Sequence, residues 1–201
     1  GVSLTGIMDN ELTNGKSGDT AKLLDELREE AVKTNKEYAN KIGIPVAAAI
    51  TCVKPSGTVS QLVDAASGIH ARHNPFYIRT VRGDKKDPLT KMMVDAGFPV
   101  EDDVMNPNHT SVFSFPMKVH KSAVFRTDMS AIEQLELWLT YQKHWCEHKP
   151  SVTISVKEHE WLDVGAWVYA NFDYMSGVSF LPFSEHTYKQ APYQDCDEKE
   201  Y

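Results

Sequence analysis

The run of small and hydroxyl-bearing residues Lys54–Ser60 is the part of the sequence best suited to chemistry. It follows an apolar run and precedes a return to helical periodicity, so it should connect a buried strand to a helix. Such a turn leaves backbone N–H groups open, and Gly57 allows close approach to the backbone. Because serine and threonine hydroxyls would add further donors, the segment predicts a site for an anion such as phosphate.

A purely structural interpretation of the same turn stays open. Thr58 can be a simple N-cap and Gly57 a simple turn residue, because both types are common in turns that bind nothing. The segment is not the G-x-x-x-x-G-K-[ST] loop of many nucleotide-binding proteins, since that spacing is missing.

Histidine and arginine cluster in the segment 68–73, and Arg79 and Arg82 follow shortly after. This cluster is compatible with a metal site, a general base or a substrate clamp. Two histidines three residues apart, with no third ligand in view, are weak support for a metal. We therefore favour a structural role in which the arginines form salt bridges with neighbouring elements.

The spacing His144-x-Cys146-x-His148 invites comparison with zinc sites. On a helix His144 and His148 share one face, whereas Cys146 points away from it. One metal ion cannot easily take all three, so we predict no metal site in this chain.

Composition narrows the class of protein. The chain has 201 residues, enough for one domain, and its net charge of −7 argues against a nucleic-acid-binding face. No apolar run of about 18 residues is present, so no membrane span is expected. The three cysteines, Cys52, Cys146 and Cys196, favour a reducing, cytoplasmic location. Because the chain starts with Gly1 and ends at Tyr201 in an acidic stretch, we expect a piece of a longer protein.

Alternating helix and strand patterns predict an α/β architecture for residues 1–201. Helices are expected over residues 19–42, 59–66, 87–96, 130–149 and 161–172, and strands over residues 44–53, 110–116, 151–156 and 177–181. The segment 44–53 is apolar throughout, as in a parallel strand covered on both faces. The tail, residues 183–201, is expected to be irregular. The aromatic residues expected in the core are Trp138, Trp145, Trp161, Trp167 and Phe172.

Several segments together resemble one enzyme family. The segment ITCVKPSGTVSQLVDAASGIHARHNPFYIRTVR closely resembles the substrate-phosphate segment of ribonucleotide reductases, in particular the adenosylcobalamin-dependent class II enzymes. The start, GVSLTGIMDNEL, is similar to another segment of the same catalytic barrel. The stretch SVTISVKEHEWLDVGAWVYANFDYMSGVSFLPFSEHTYKQAPYQ is similar to the C-terminal part of that barrel. The resemblance covers essentially the whole chain, in the family's order.

This resemblance implies a fold, an activity and a cofactor. The family's fold is a ten-stranded α/β barrel made of two five-stranded halves, and this chain would supply much of the second half. In the family a Pro-Ser-Gly-Thr loop binds the substrate's phosphates. The matching residues here are Pro55, Ser56, Gly57, Thr58, Val59 and Ser60. The implied reaction turns a ribonucleotide into a 2′-deoxyribonucleotide for DNA replication, by a radical mechanism that the cobalt cofactor adenosylcobalamin starts.

The chain also departs from the family's pattern. The family's radical cysteine, its reducing cysteine pair and its allosteric site belong to segments that would precede Gly1, and its redox-active tail would follow Tyr201. We therefore expect no catalytic residue in this chain and no turnover by the chain alone. The expected substrate is a ribonucleoside diphosphate. The expected partners are the remaining part of the reductase chain and, in the complete enzyme, a second copy, but neither nucleic acid nor a membrane.

The alternative is an autonomous nucleotide- or phosphate-binding module without catalysis. The two hypotheses differ in whether the chain buries its strands alone. Half of a barrel leaves open sheet edges and an apolar inner face, whereas an autonomous module does not.

Overall fold

Helices and strands alternate along the chain. The computed structural model describes residues 1–120, 122–184 and 188–201. The strands are β1 (Val2–Ser3), β2 (Thr51–Cys52), β3 (Phe76–Asp84), β4 (Val100–Asp102), β5 (Thr110–Lys118), β6 (Thr153–Val156), β7 (Ser179–Pro182) and β8 (Tyr193–Asp195). The α-helices are α1 (Thr20–Ile42), α2 (Val59–Leu62), α3 (Pro88–Asp95), α4 (Ala131–His144) and α5 (Trp161–Asn171). None of the helices in the described ranges has the length and apolarity needed to cross a membrane.

The chain divides into two units, which its length alone did not indicate. Unit 1 comprises residues 1–72 and 122–183, and unit 2 comprises residues 73–121 and 184–201. The strands of unit 2 pair with one another in a single sheet.

Short parallel strands lie at the centre of unit 1. β1 pairs with β2, and β6 pairs with β7, in both cases in parallel. A parallel bridge between Val53 and Pro150 links the two pairs. Parallel strands need a long crossover, which α5 provides between β6 and β7.

The sequence signals at the helix ends are confirmed. Gly43 follows α1 with a φ of 73°, and its N–H donates to the carbonyl oxygen of Ala39. α4 begins with a capping box, in which Ser130 Oγ accepts the N–H of Glu133 at 3.2 Å. The Glu133 carboxylate accepts the Ser130 N–H in return, at 2.7 Å. Both ends therefore satisfy backbone groups that a helix terminus leaves open.

The core of unit 1 packs around α4 and combines aliphatic side chains with several large aromatic ones. Trp138 and Trp145 are almost fully buried, and their indole N–H groups donate to backbone carbonyl oxygens at 2.8 Å. Trp167 is also buried, but Trp161 and Phe172 are 40% and 70% exposed, so the expectation of a core position is wrong for these two. Trp161 is the first residue of α5 and Phe172 follows its last residue, and only the middle of this helix packs on the core. Each large buried side chain contributes about 1.5–3 kcal/mol to folding, which makes α4 the main anchor.

Unit 2 contains an antiparallel sheet with the strand order β4-β5-β3-β8. β3 and β5 pair along their full lengths, from Phe76 opposite Lys118 to Asp84 opposite Thr110. The sequence pattern predicted β5 but missed β3, because Arg79 interrupts the alternation of apolar and polar residues.

The expected strand over residues 44–53 is much shorter than predicted. Only Thr51 and Cys52 pair as a strand. Pro45 has no N–H to offer a sheet, and the N–H of Ile44 donates to Ala39 at the end of α1 at 3.0 Å. The apolar run therefore leads the chain away from α1 before it enters the sheet.

The helix expected over residues 59–66 ends at Leu62. Asp64 has a φ of 48°, in the left-handed region, which a continuing helix does not tolerate.

The tail, residues 183–201, is not wholly irregular, since β8 pairs with β3 from Tyr77 opposite Asp195 to Arg79 opposite Tyr193. Three residues are too few to carry a pattern, so the partner strand determines this pairing. Residues 185–187 of the tail lie outside the described residues.

Candidate phosphate-binding site

The loop predicted to hold an anion lies in unit 1, directly after Val53 and before α2. Its exposed residues are Lys54, Pro55, Gly57, Thr58 and Val59. Ser56 is half-buried and Ser60 is fully buried. The two serines therefore face the protein, while the residues between them face outward.

Ser56 closes the loop on itself. Its Oγ accepts the backbone N–H of Ser60 at 3.1 Å, and its carbonyl oxygen accepts the Ser60 hydroxyl. The Ser67 hydroxyl donates to the same carbonyl oxygen. The hydroxyl of Ser60 is thus used inside the protein, and its contribution is to hold the loop in shape.

Three consecutive backbone N–H groups at the tip of the loop are open. Within the described part of the chain, the N–H groups of Gly57, Thr58 and Val59 donate to no protein acceptor. The Thr58 hydroxyl makes no capping hydrogen bond, so the alternative in which it is a simple N-cap has no contact to support it. Because α2 is barely one turn long, its dipole is small, and an anion here would be held by individual donors.

Two glycines have different places around the loop. A Cβ built on Gly57 would meet nothing within 4 Å, so its side-chain position opens onto free space. A Cβ on Gly68 would lie 2.8 Å from the carbonyl oxygen of Lys54, and Gly68 has a φ of 55°. Residues 66–70 form the segment beneath the loop. Gly68 is required for the close packing of this segment, whereas Gly57 leaves space above the loop.

The N-terminal segment supports the loop, which the sequence pattern did not reveal. Ser3 Oγ accepts the N–H of Lys54 at 2.9 Å. Thr5 Oγ1 accepts the N–H of Gly68 and donates to the carbonyl oxygen of Ala66, both at 3.0 Å. The hydroxyls at alternate positions 3 and 5 were the signal that the sequence offered, but only the fold brings them to residues more than 50 positions away.

Arg72 has a structural role within unit 1. Its Nε and Nη2 donate to the two carboxylate oxygens of Asp9 at 2.9 and 3.0 Å, and its Nη1 donates to Asp64 at 3.1 Å. The Arg72 side chain is 6% exposed, so two carboxylates surround a buried cation. Asp9 also accepts the N–H of Ala66 at 2.6 Å, which ties the segment after the loop to the N-terminal segment.

The other arginines of the predicted cluster lie in unit 2. The guanidinium of Arg79 is 4.4 Å from the centre of the Tyr193 ring, and His73 stacks on the same ring at 5.6 Å. Arg82 Nε donates to Asp103 at 2.8 Å, and this hydrogen bond lowers the pKa of the Asp103 carboxyl. These contacts support the structural interpretation of the arginines.

Cys146 and Cys196 are not arranged as nucleophiles. Burial, with a smaller contribution from the neighbouring Cys52, raises the pKa of the Cys146 thiol to about 12. Burial and the acids around Cys196 also raise the pKa of that thiol. Thiolate chemistry at neutral pH is therefore disfavoured at both Cys146 and Cys196.

The residues of the suspected zinc motif have other contacts. His144 Nδ1 lies 2.9 Å from Asp25 Oδ2, between α4 and α1. In the parts of the chain that the structure describes, no three His, Cys, Asp or Glu side chains are grouped to hold a metal ion.

No model of a known protein family matches the chain. Individual relatives do match. A probable adenosylcobalamin-dependent ribonucleoside-triphosphate reductase of Dictyostelium discoideum is 36% identical over 90% of this chain and 23% of that protein. The adenosylcobalamin-dependent ribonucleoside-triphosphate reductase of Euglena gracilis is 32% identical over 76% of this chain and 21% of that protein. The adenosylcobalamin-dependent ribonucleoside-triphosphate reductase of Lactobacillus leichmannii is 28% identical over 90% of this chain and 25% of that protein. The chain thus spans about a quarter of the length of these relatives.

A solved structure confirms the expected fold class. The crystal structure of a B12-dependent (class II) ribonucleotide reductase matches all of this chain with a TM-score of 0.82 and 24% sequence identity. The chain covers 32% of that structure. Its mixed α/β fold is therefore that of one part of the reductase barrel.

Proposed function

Because the chain is homologous to one segment of the adenosylcobalamin-dependent ribonucleotide reductases and has the fold of that segment, we propose that it binds the phosphates of a ribonucleotide substrate. The observation that carries the proposal is the loop Lys54–Ser60, in which three consecutive exposed residues have backbone N–H groups with no protein acceptor among the described residues. The complete enzyme would replace the ribose 2′-hydroxyl with hydrogen. Held phosphates would position the ribose for that reaction, which turns a diffusional encounter into an oriented one.

The residues of the loop take different parts in this proposal. Gly57, Thr58 and Val59 donate backbone N–H groups to phosphate oxygens, and the Thr58 hydroxyl adds a further donor. Ser56 and Ser60 hold the loop through their mutual hydrogen bonds. Two neighbours contribute in other ways: Pro55 restricts the backbone, and the exposed Lys54 adds positive charge.

The proposed substrate is a ribonucleoside triphosphate. The relatives are named ribonucleoside-triphosphate reductases, so the diphosphate expected from the sequence has no support from them.

Adenosylcobalamin would supply the radical that starts the reaction in the complete enzyme. Two cavities lined by described residues of unit 1 have volumes of about 90 and about 330 Å³ and are smaller than a cobalamin molecule. Neither of these cavities can enclose the cofactor, and we assign no residue of this chain to it. The chain's own contribution is to bind and orient the substrate.

The variant Gly57→Ala tests the proposal. The added methyl group meets no protein atom and should leave the stability unchanged, but it occupies the space through which a phosphate would approach. We expect the affinity of the chain for CTP, measured by calorimetry, to fall about tenfold or more, and Thr58→Ala to weaken binding by a smaller factor.

Gly165→Ala in α5 is the matched control, because its Cβ also meets nothing within 4 Å. It should bind CTP like the unmodified chain. Equal CTP affinity in the Gly57→Ala, Thr58→Ala and unmodified chains would reject the phosphate role of the loop.

A further inference from the structure

His70 joins the segment beneath the loop to strand β6. Its Nδ1 lies 3.0 Å from the carbonyl oxygen of Ser67, and its Nε2 lies 3.0 Å from the backbone nitrogen of Thr153. A carbonyl oxygen accepts and an amide N–H donates, so both contacts are satisfied only by a neutral ring with its proton on Nδ1. The two backbone partners thus determine the charge and the tautomer of this histidine.

The same segment reaches the phosphate loop directly. Ser67, whose carbonyl oxygen accepts from His70, donates its own hydroxyl to the carbonyl oxygen of Ser56. A continuous series of hydrogen bonds therefore runs from Ser56 through Ser67 and His70 to Thr153. All four residues belong to unit 1.

The surroundings of His70 favour the neutral ring. His70 lines a cavity of about 90 Å³, and the side chains that line it are mostly apolar or uncharged. Arg126 is the one charged group among the described residues lining this cavity. Burial lowers the pKa of His70, and the hydrogen bond to Ser67 offsets this only in part. The ring should therefore stay neutral at neutral pH and gain a proton only in mild acid.

We propose that His70 is a positioning residue that fixes the phosphate loop against strand β6, and that protonation of its Nε2 releases this link and weakens phosphate binding. A proton on Nε2 would face the N–H of Thr153, and two donors cannot bond to each other. The contact to Ser67 would remain, so the loop would lose its attachment to the strand while the fold persists. The effect on binding rests on the function proposed above for the loop.

The link can be tested without any ligand by following backbone amide signals of the ¹⁵N-labelled chain by NMR. As the pH is lowered from about 7.5 to about 4.5, the amide signals of Thr153 and Ser60 should shift together with one midpoint that lies below the ordinary histidine value. In His70→Gln this shared shift should disappear, because the amide keeps an acceptor near the Nε2 position but does not titrate. In His70→Asn, which keeps only a donor toward Ser67, the Thr153 amide should exchange faster at every pH.

His159→Gln is the control, because His159 is exposed on a turn and should leave the midpoint unchanged. If Thr153 shifts with pH while Ser60 does not, His70 is merely structural and the proposal is overturned. The proposal would also be overturned if the Thr153 and Ser60 amide signals shifted with pH in both His70 variants as they do in the unmodified chain.

A second measurement separates this proposal from the function of the loop. The affinity for sodium tripolyphosphate is measured at both pH values in the unmodified chain and in His70→Gln, so that ionisation of the ligand cancels in the ratio. At each pH we divide the affinity of the unmodified chain by that of His70→Gln. We expect this ratio to be about fivefold smaller at the lower pH, because only the unmodified chain loses the link. If the amide shifts are linked but tripolyphosphate does not bind at either pH, the phosphate role is rejected and the structural link is retained. If tripolyphosphate binds and the ratio is the same at both pH values, the pH effect is rejected.

Discussion

At the scale of single residues, the loop depends on contacts that are easy to separate by substitution. Gly68 lies against the Lys54 carbonyl oxygen in the left-handed region, while Gly57 faces open space. The missing side chain of Gly68 is needed for the loop to pack, and that of Gly57 is needed only if a ligand approaches the loop. Variants at these two positions therefore report on folding and on binding, respectively.

Gly68→Ala should destabilise the chain by about 1–3 kcal/mol, because a methyl group cannot fit 2.8 Å from a backbone oxygen at a φ of 55°. The midpoint of urea unfolding measures this loss, with Gly57→Ala as the comparison. Equal midpoints for the two variants would show that Gly68 does not pack closely against the carbonyl oxygen of Lys54.

At the scale of elements, one carboxylate joins the starts of two helical segments. Glu160 Oε1 accepts the N–H of Ala131 at the first residue of α4, at 3.0 Å. Its Oε2 accepts the N–H of Lys157 before the turn that leads into α5, at 2.8 Å. Burial raises the pKa of Glu160, but these backbone hydrogen bonds outweigh it, so the pKa lies below its ordinary value of 4.5. The ionised carboxylate thus holds α4 and the start of α5 together.

Glu160→Gln should lower the free energy of unfolding by about 1–3 kcal/mol, because the amide NH₂ would face one of the two backbone N–H groups. A lowered pKa means that the carboxylate stabilises the fold above about pH 4.5, and that this stabilisation is lost as the pH falls through the folded-state value. The variant should therefore show a smaller loss of stability in acid, as measured by thermal unfolding between about pH 3 and pH 7. The exposed neighbour Glu158, replaced by Gln, serves as the control, and a similar acid profile in both variants would contradict this role.

At the scale of the whole molecule, the strands of unit 1 are not closed into a barrel. Within the described residues, β1 and β7 each pair on one side only. Open strand edges of this kind favour pairing with further polypeptide. This agrees with a chain that spans about a quarter of its relatives, although an autonomous module stays the competing hypothesis.

We expect no formation of deoxyribonucleotides from CTP by the chain alone, even with adenosylcobalamin and a dithiol reductant. The physical reason is access, since Cys52 and Cys146 are buried and offer no exposed thiol to a bound nucleotide. Chromatography of the nucleotide products measures the outcome. Product formed by the purified chain would refute the expectation, and CTP binding by a cooperatively unfolding monomer would favour the autonomous module.

The sequence by itself determined the features that arise from neighbours along the chain. The capping box of α4 and the glycine after α1 involve hydrogen bonds over three or four residues, so residue types at fixed spacing were enough to predict them. The residue types of the loop Lys54–Ser60 also suit an anion site and resemble one family, and this role stays a prediction.

Only the tertiary structure decided how that loop is supported. Ser60 proved buried while Thr58 faces outward, which residue type cannot distinguish. His70 and Thr153 are 83 residues apart, and their contact exists only because β6 lies beside the segment beneath the loop. Local patterns carry no information about such pairs, because the partners meet only when the whole unit has folded.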